Sequence, residues 1–273
     1  MIVSDAHRFV FVHVPKCAGT SVRLALQPFH DRPVRMELVQ THPRLGPLDY
    51  GHLTLATLAD GFPELLERVK DYESHALIRD PVARFPSSLA QRLRMHKRRV
   101  IAELTKPELD REVDEVLDHL SGGASVTDPT FIHFERQIAY VDLGGDRLVR
   151  HLHPVERVDE FLAAAGRRLG ADLAPALQDR RNRTIYADET TARKLDDAEL
   201  NPGLRRAARR VLPAGLRRLL RNLLFPPFET AKAILDRRDV QRFIETHYAE
   251  DARLHAELVA RASEPTHPER IPT

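Results

Sequence analysis

The chain has one cysteine, Cys17, in 273 residues, which excludes an intramolecular disulfide framework and fits a reducing compartment. It has no apolar run approaching the roughly 20 residues that span a bilayer. Met1-Ile2-Val3 leads almost directly into a strand-like segment, with no leader pattern before it. Both absences make a cytoplasmic protein the expectation. An excess of one charge is missing as well: 42 Lys+Arg against 40 Asp+Glu leave a formal net charge of +2, which argues against bulk nucleic-acid binding. No carboxylate cluster of the type that holds a divalent metal stands out. What remains is a chain 42% hydrophobic and 30% charged, long enough to bury the core of one large or two small globular domains.

The organising stretch is Phe9 to Val22. Phe9-Val10-Phe11-Val12 is a β-branched and aromatic run suited to a fully buried parallel strand, and it breaks at Pro15 into a short loop containing Gly19. A helix is predicted next, capped by Thr20 or Ser21, with Val22, Leu24, Ala25 and Leu26 following. A strand that runs through a small-residue loop into a helix N-terminus points backbone N–H groups at one place, with the helix dipole behind them. That place suits an anion such as a phosphate, and Lys16 adds a mobile positive charge; the plainer reading is an exposed loop lysine. Lys16 precedes Gly19, whereas the phosphate loop of nucleotide triphosphatases puts its lysine after the second glycine. A second strand-to-helix junction lies at Ala76-Leu77-Ile78-Arg79-Asp80-Pro81, where Pro81 fits the first turn of a helix. Arg79 can grip a phosphate with two parallel hydrogen bonds, the alternative being an Arg79-Asp80 surface turn.

Pro15-Lys16-Cys17-Ala18-Gly19-Thr20-Ser21 after a strand, with Arg79 at a strand end and Ser87 eight residues on, resembles the sulfotransferases that use 3′-phosphoadenosine 5′-phosphosulfate (PAPS). It is most similar to the carbohydrate-modifying branch with bacterial members. The resemblance implies an α/β fold, P-loop-like, in three α/β/α layers around a short, mostly parallel sheet, with residues 1–273 as one domain. It implies that Pro15 to Ser21 hold the phosphosulfate, that Arg79 and Ser87 hold the 3′-phosphate, and that Arg183 and Thr184 close over the donor. Arg183 and Thr184 read equally as part of an Arg-rich surface loop. It makes His52 the base that takes the acceptor hydroxyl's proton, with His13 and His42 as alternatives; Tyr50 stands where some eukaryotic members carry a second histidine. The implied reaction is transfer of a sulfuryl group to a hydroxyl of a carbohydrate or glycolipid by in-line displacement, without a metal, Lys16 and the loop amides stabilising the leaving oxygen. The rival readings are a P-loop kinase or other nucleotide-binding phosphotransferase, and a non-catalytic protein that binds a membrane surface.

Elsewhere the pattern predicts a strand over 33–39, a loop over 41–50, a helix over 63–70 and another reaching Arg99. The basic run 91–99 at its end reads as a solvated helix terminus, or more sharply as a contact for an anionic saccharide. A helix is predicted over 107–120, one around Phe131, Phe134, Gln137 and Ile138, a turn at Gly144-Gly145, a strand over 147–150 that returns to the sheet, and a helix over 154–169. Phe134 and Phe161 read as core. Residues 201–238 read as a basic amphipathic helical insertion. Within it, 203–228 suits an anionic membrane surface at the inner face of the membrane, or equally a packed hairpin or dimer contact. A final helix is predicted over 240–258. The Cys17 thiol has two readings, a low-pKa oxidisable group and a neutral loop filler.

Overall fold

Phe9–Val12 is apolar on both faces, and a strand of that composition has to be covered twice. In the computed structural model, which describes residues 1–32, 39–122, 128–173 and 228–263, this strand is β2, and all four of its residues are buried. β1 (Ile2–Ser4) pairs with it antiparallel, while β5 (Glu73–Ile78) pairs with it in parallel, Phe9 beside Glu73 and Val12 beside Ala76. β8 (His151–Pro154) lies parallel on the far side of β5, so the sheet order is β1-β2-β5-β8. The architecture is a three-layer α/β/α arrangement around a mixed sheet, parallel except at its β1 edge.

By their packing, the described residues of Met1–Arg84, Thr127–Arg181 and Ile244–Thr273 form one compact unit, and those of Phe85–Val126 and Asn182–Phe243 a second. The first contains the sheet with α1 (Gly19–Leu26), α2 (Leu55–Gly61), α3 (Pro63–Asp71) and α6 (Val158–Leu169). Thr54 caps α2 by accepting the Thr57 N–H, and Gly170, left-handed at φ 70°, closes α6. Phe161 of α6 stacks on Phe11 with ring centres 5.7 Å apart, and Phe134 is buried too, so both belong to the core.

Several expectations differ from the structure. The segment 41–50 is a hairpin, β3 (Val39–His42) with β4 (Gly46–Asp49), turned at Gly46 with φ 73°. Pro47 disguised it, because a proline is tolerated in a strand only where no ladder N–H is needed. The return strand is His151–Pro154 rather than 147–150. Residues 142–147 form a small hairpin, β6 (Asp142–Leu143) with β7 (Asp146–Arg147), around the predicted Gly144-Gly145 turn. The region of Phe131 to Ile138 is no helix but two single turns, Ile132–Phe134 and Gln137–Tyr140. Asp251 takes the Gln137 and Ile138 N–H groups at 2.8 and 3.0 Å, so helical carbonyls never receive them.

The second unit includes the later part of α4 (Pro81–Arg92), α5 (Lys106–Ser121), α7 (Phe228–Leu235) and most of α8 (Arg238–His247). α4 ends at Arg92, after which a wider turn runs to Lys97, so the helix stops short of Arg99. Residues 94–98 of the basic run are exposed, but three of its cations are paired. Arg92, 1% exposed, pairs with Glu112 at 2.8 Å and with Glu115, Lys97 bonds Glu115 at 2.9 Å, and Arg99 bonds Glu108 at 2.9 Å. α9 (Ala249–Ser263) belongs to the first unit, and Tyr248 separates it from α8. No described helix is long and apolar enough to cross a membrane.

The sheet buries imidazoles at one end. Burial, reinforced by neighbouring His153 and His151, pushes His75 down to about 4, and burial with His151 does the same to His153. The unfolded chain protonates these groups near 6.5, so it takes up protons that the folded chain does not, and stability falls as pH drops from 6.5 toward 4. Urea midpoints are expected to decline over that interval and to decline less in His153→Gln.

Candidate active site

Both parallel crossovers leave the sheet at the same end, β2 into the loop before α1 and β5 into the loop before α4. The first loop is wound tightly: Lys16 and Ala18 are both left-handed, at φ 65° and 57°. Each such non-glycine residue costs about 1–2 kcal/mol. Ala18 occupies the N-cap of α1 and supplies no side-chain cap, so the first-turn N–H groups face outward with the dipole behind them.

What holds this loop is a set of buried donors from elsewhere in the unit. Arg84, 2% exposed, donates Nε to the Pro15 carbonyl at 3.1 Å and Nη2 to the carbonyls of His133 and Glu135 at 3.1 and 2.6 Å. Arg79 donates Nη1 to the Lys16 carbonyl at 3.1 Å, which brings the two crossover loops together. Gln137 Oε1 accepts the Arg79 N–H at 2.9 Å and the Cys17 thiol at 3.1 Å, while its Nε2 donates to the Arg79 carbonyl at 2.7 Å. Burial raises the Cys17 thiol to about 11, so it is a neutral filler of the loop rather than a reactive thiolate.

Histidines line the same region. An ideal Cβ on residue 19 would fall 1.6 Å from His13 Nε2, so Gly19 is required by the imidazole that lies against it and not by its φ. His52 sits in the turn between β4 and α2. Asp49 shapes that turn, its carboxylate accepting the Gly51 N–H at 2.8 Å and its carbonyl the His52 N–H at 3.0 Å. His52 Nδ1 lies 3.2 Å from the His13 carbonyl, which can only accept, so Nδ1 carries the proton and Nε2 the lone pair. The His13 and His52 rings are 4.4 Å apart, and those of His52 and His133 5.2 Å. Burial is the main cause that brings His52 down to about 4; Asp49 and the His13 carbonyl oppose it, and the Lys16 cation reinforces it. His13 is driven well below its usual value, first by burial and then by His52.

Pro15, Lys16, Cys17, Ala18, Gly19, His52 and Arg79 are thus gathered in one unit. Thr20 and Ser21 lie inside the first turn of α1, whose N-cap is Ala18 rather than either of them, and their side chains, like Arg183, Thr184 and residues 201–227, lie outside the described part of the structure. Ser87 is buried in α4 and belongs to the second unit. His42 is occupied in its hairpin, accepting the Arg44 and Leu45 N–H groups at 3.3 and 3.2 Å. Sequence reasoning missed Arg84, Gln137 and Asp251; the one visible hint was an arginine set between Ala83 and Phe85 at the start of a helix. Asp49, His52 and His133 each offer one ligand atom, all within 4.8 Å of one another, so they can hold a cation; doing so would occupy His52.

Gly19→Ala is expected to cost about 1–3 kcal/mol of stability by forcing His13 aside. In Gly19→Ala/His13→Ala most of that loss should disappear, as read from urea unfolding of the four species in a double-mutant cycle.

The family model described as "Sulfotransferase family" matches residues 1–157, which take in all four strands of the sheet and both crossover loops. No curated protein and no solved structure matches the chain. With more than half its length matched, and with the matched part carrying Lys16, His52 and Arg79, this chain belongs to the sulfotransferase family.

Proposed function

We propose that the chain transfers a sulfuryl group from PAPS to a hydroxyl of a carbohydrate or glycolipid acceptor. The observation that carries this reading is the 3.1 Å bond from Arg79 Nη1 to the Lys16 carbonyl, because it sets side by side the two crossover loops that we read as anion-binding. A nucleotide phosphorylated at both ends needs two such positions. The outward N–H groups of α1 and the Lys16 ammonium would take the phosphosulfate end, and Arg79 the 3′-phosphate.

In this reading the acceptor hydroxyl gives its proton to His52 Nε2 as its oxygen attacks sulfur in line with the bridging oxygen. Lys16 and the loop amides stabilise the charge that grows on the bridging oxygen as the S–O bond breaks. Preorganised donors supply most of the rate in chemistry of this kind, as in phosphoryl transfer. The basic stretch 203–228, of which all but Phe228 lies outside the described residues, is the sequence feature that favours an acceptor at an anionic membrane surface.

Calorimetric titration tests the donor: 3′-phosphoadenosine 5′-phosphate should bind without metal and more tightly than ATP with magnesium, and the reverse order would favour a kinase. Arg79→Ala should mainly weaken that binding. His52→Ala should lower turnover by about 10²–10⁴-fold, and full turnover in that variant would remove His52 from its role. Because burial brings His52 down to about 4, the acid limb of the kcat/KM profile should fall well below pH 6.5, with a flat region through neutrality.

A further inference from the structure

Parallel pairing sets His75 beside His151 and Leu77 beside His153, so Glu73, His75, His151 and His153 share one face of the sheet at the beginnings of β5 and β8. The His75 ring stacks on His151 at 4.8 Å and lies 5.5 Å from His153, with Phe9 and Phe161 forming an apolar wall at 5.1 and 5.5 Å. Three imidazoles and a carboxylate in one place are more than sheet packing requires. The six residues of β5, Glu73–Ile78, put the Glu73 end of this cluster about 16 Å from the end of the strand that leads into the Arg79 loop.

We propose that Glu73, His75 and His151 form a binding site for a divalent transition-metal ion of the Zn²⁺ type. Each contributes one ligand atom, and these atoms lie within 4.8 Å of one another. Glu73 Oε1 and His75 Nε2 are 3.5 Å apart, close to the edge of about 3.3–3.5 Å that a tetrahedron with 2.0–2.1 Å bonds requires. His151 is exposed, so its side chain is free to swing the remaining distance. Atoms behind the ligands are already in supporting positions. His75 Nδ1 meets His153 Nε2 at 3.2 Å, which leaves Nε2 of His75 for the ion and fixes its ring. Glu73 divides its oxygens, Oε2 accepting from Arg168 Nε at 3.1 Å and Oε1 facing His75. Imidazole nitrogen with a single carboxylate selects Zn²⁺ and its neighbours over Ca²⁺ or Mg²⁺, which prefer oxygen throughout. Three protein ligands leave the fourth position to solvent, which reaches it past His151. An ion here would staple β5 to β8 at the end of the sheet opposite the crossover loops.

The test uses the tag-free, chelator-treated full chain, titrated with ZnCl₂ by calorimetry and with Co²⁺ by visible absorption. One equivalent of Zn²⁺ should bind, with affinity at least tenfold lower in His151→Ala and in Glu73→Gln, and unchanged in His52→Asn. Co²⁺ should give tetrahedral bands that vanish in the first two variants. His151 is exposed and its variant is expected to keep the wild-type circular dichroism; Glu73→Gln provides the same reading independently. Absence of Zn²⁺ binding overturns the proposal, and so does binding that survives both substitutions or is lost in His52→Asn, which would place the ion at Asp49 and His133 instead.

Discussion

A carboxamide sealed from water must find partners for its oxygen and its amino group inside the protein, and Gln137, 0% exposed, does so by holding both crossover loops at once. Its oxygen takes the Arg79 N–H and the Cys17 thiol, and its amino group returns to the Arg79 carbonyl. Asp251, also fully buried, holds the Gln137 backbone, and the Tyr248 hydroxyl reaches the Phe134 carbonyl at 2.6 Å. The geometry of the residues read as donor-binding therefore rests on side chains far along the chain. In so dry a place a half-satisfied network would be worse than none, so these contacts form or fail together.

That dependence explains which features were legible in the sequence. β2, its loop and α1 announce themselves through a β-branched run, a proline and small residues, and α5 through the helical spacing of Leu109, Val113 and Val116. Lys16, Arg79 and His52 stand out because their spacing and chemistry match a family pattern. β8 was displaced by four residues in the reading because His-Leu-His-Pro has no β-branched residue and no Phe, Tyr or Trp to mark it as a strand. Gln137 and Arg84 could not be seen. A neutral amide and an arginine acquire their meaning only from carbonyls that the fold brings to them. Gly19 was read as loop punctuation, yet its backbone is ordinary and the constraint comes from His13.

Electrostatics separates the two units. In the second, Arg92, Lys97 and Arg99 meet the acidic face of α5, so much of a run that looks like an anion-binding strip is paired internally. Exposed pairs of this sort contribute little, but Arg92 is buried, and a buried guanidinium without its carboxylates would be strongly destabilising. In the first unit the buried Arg84 is satisfied instead mainly by the carbonyls of Pro15, His133 and Glu135, with Asp251 3.9 Å away.

The left-handed backbone at Lys16 has one more implication. Glycine adopts that conformation without steric penalty, so a chain carrying glycine at 16 would be relieved of about 1–2 kcal/mol of strain while giving up the ammonium group. Thermal robustness and positive charge are thus set in opposition at a single residue, and a search for hardier variants of this protein would be drawn to the substitution that removes the cation on which the proposed reaction relies.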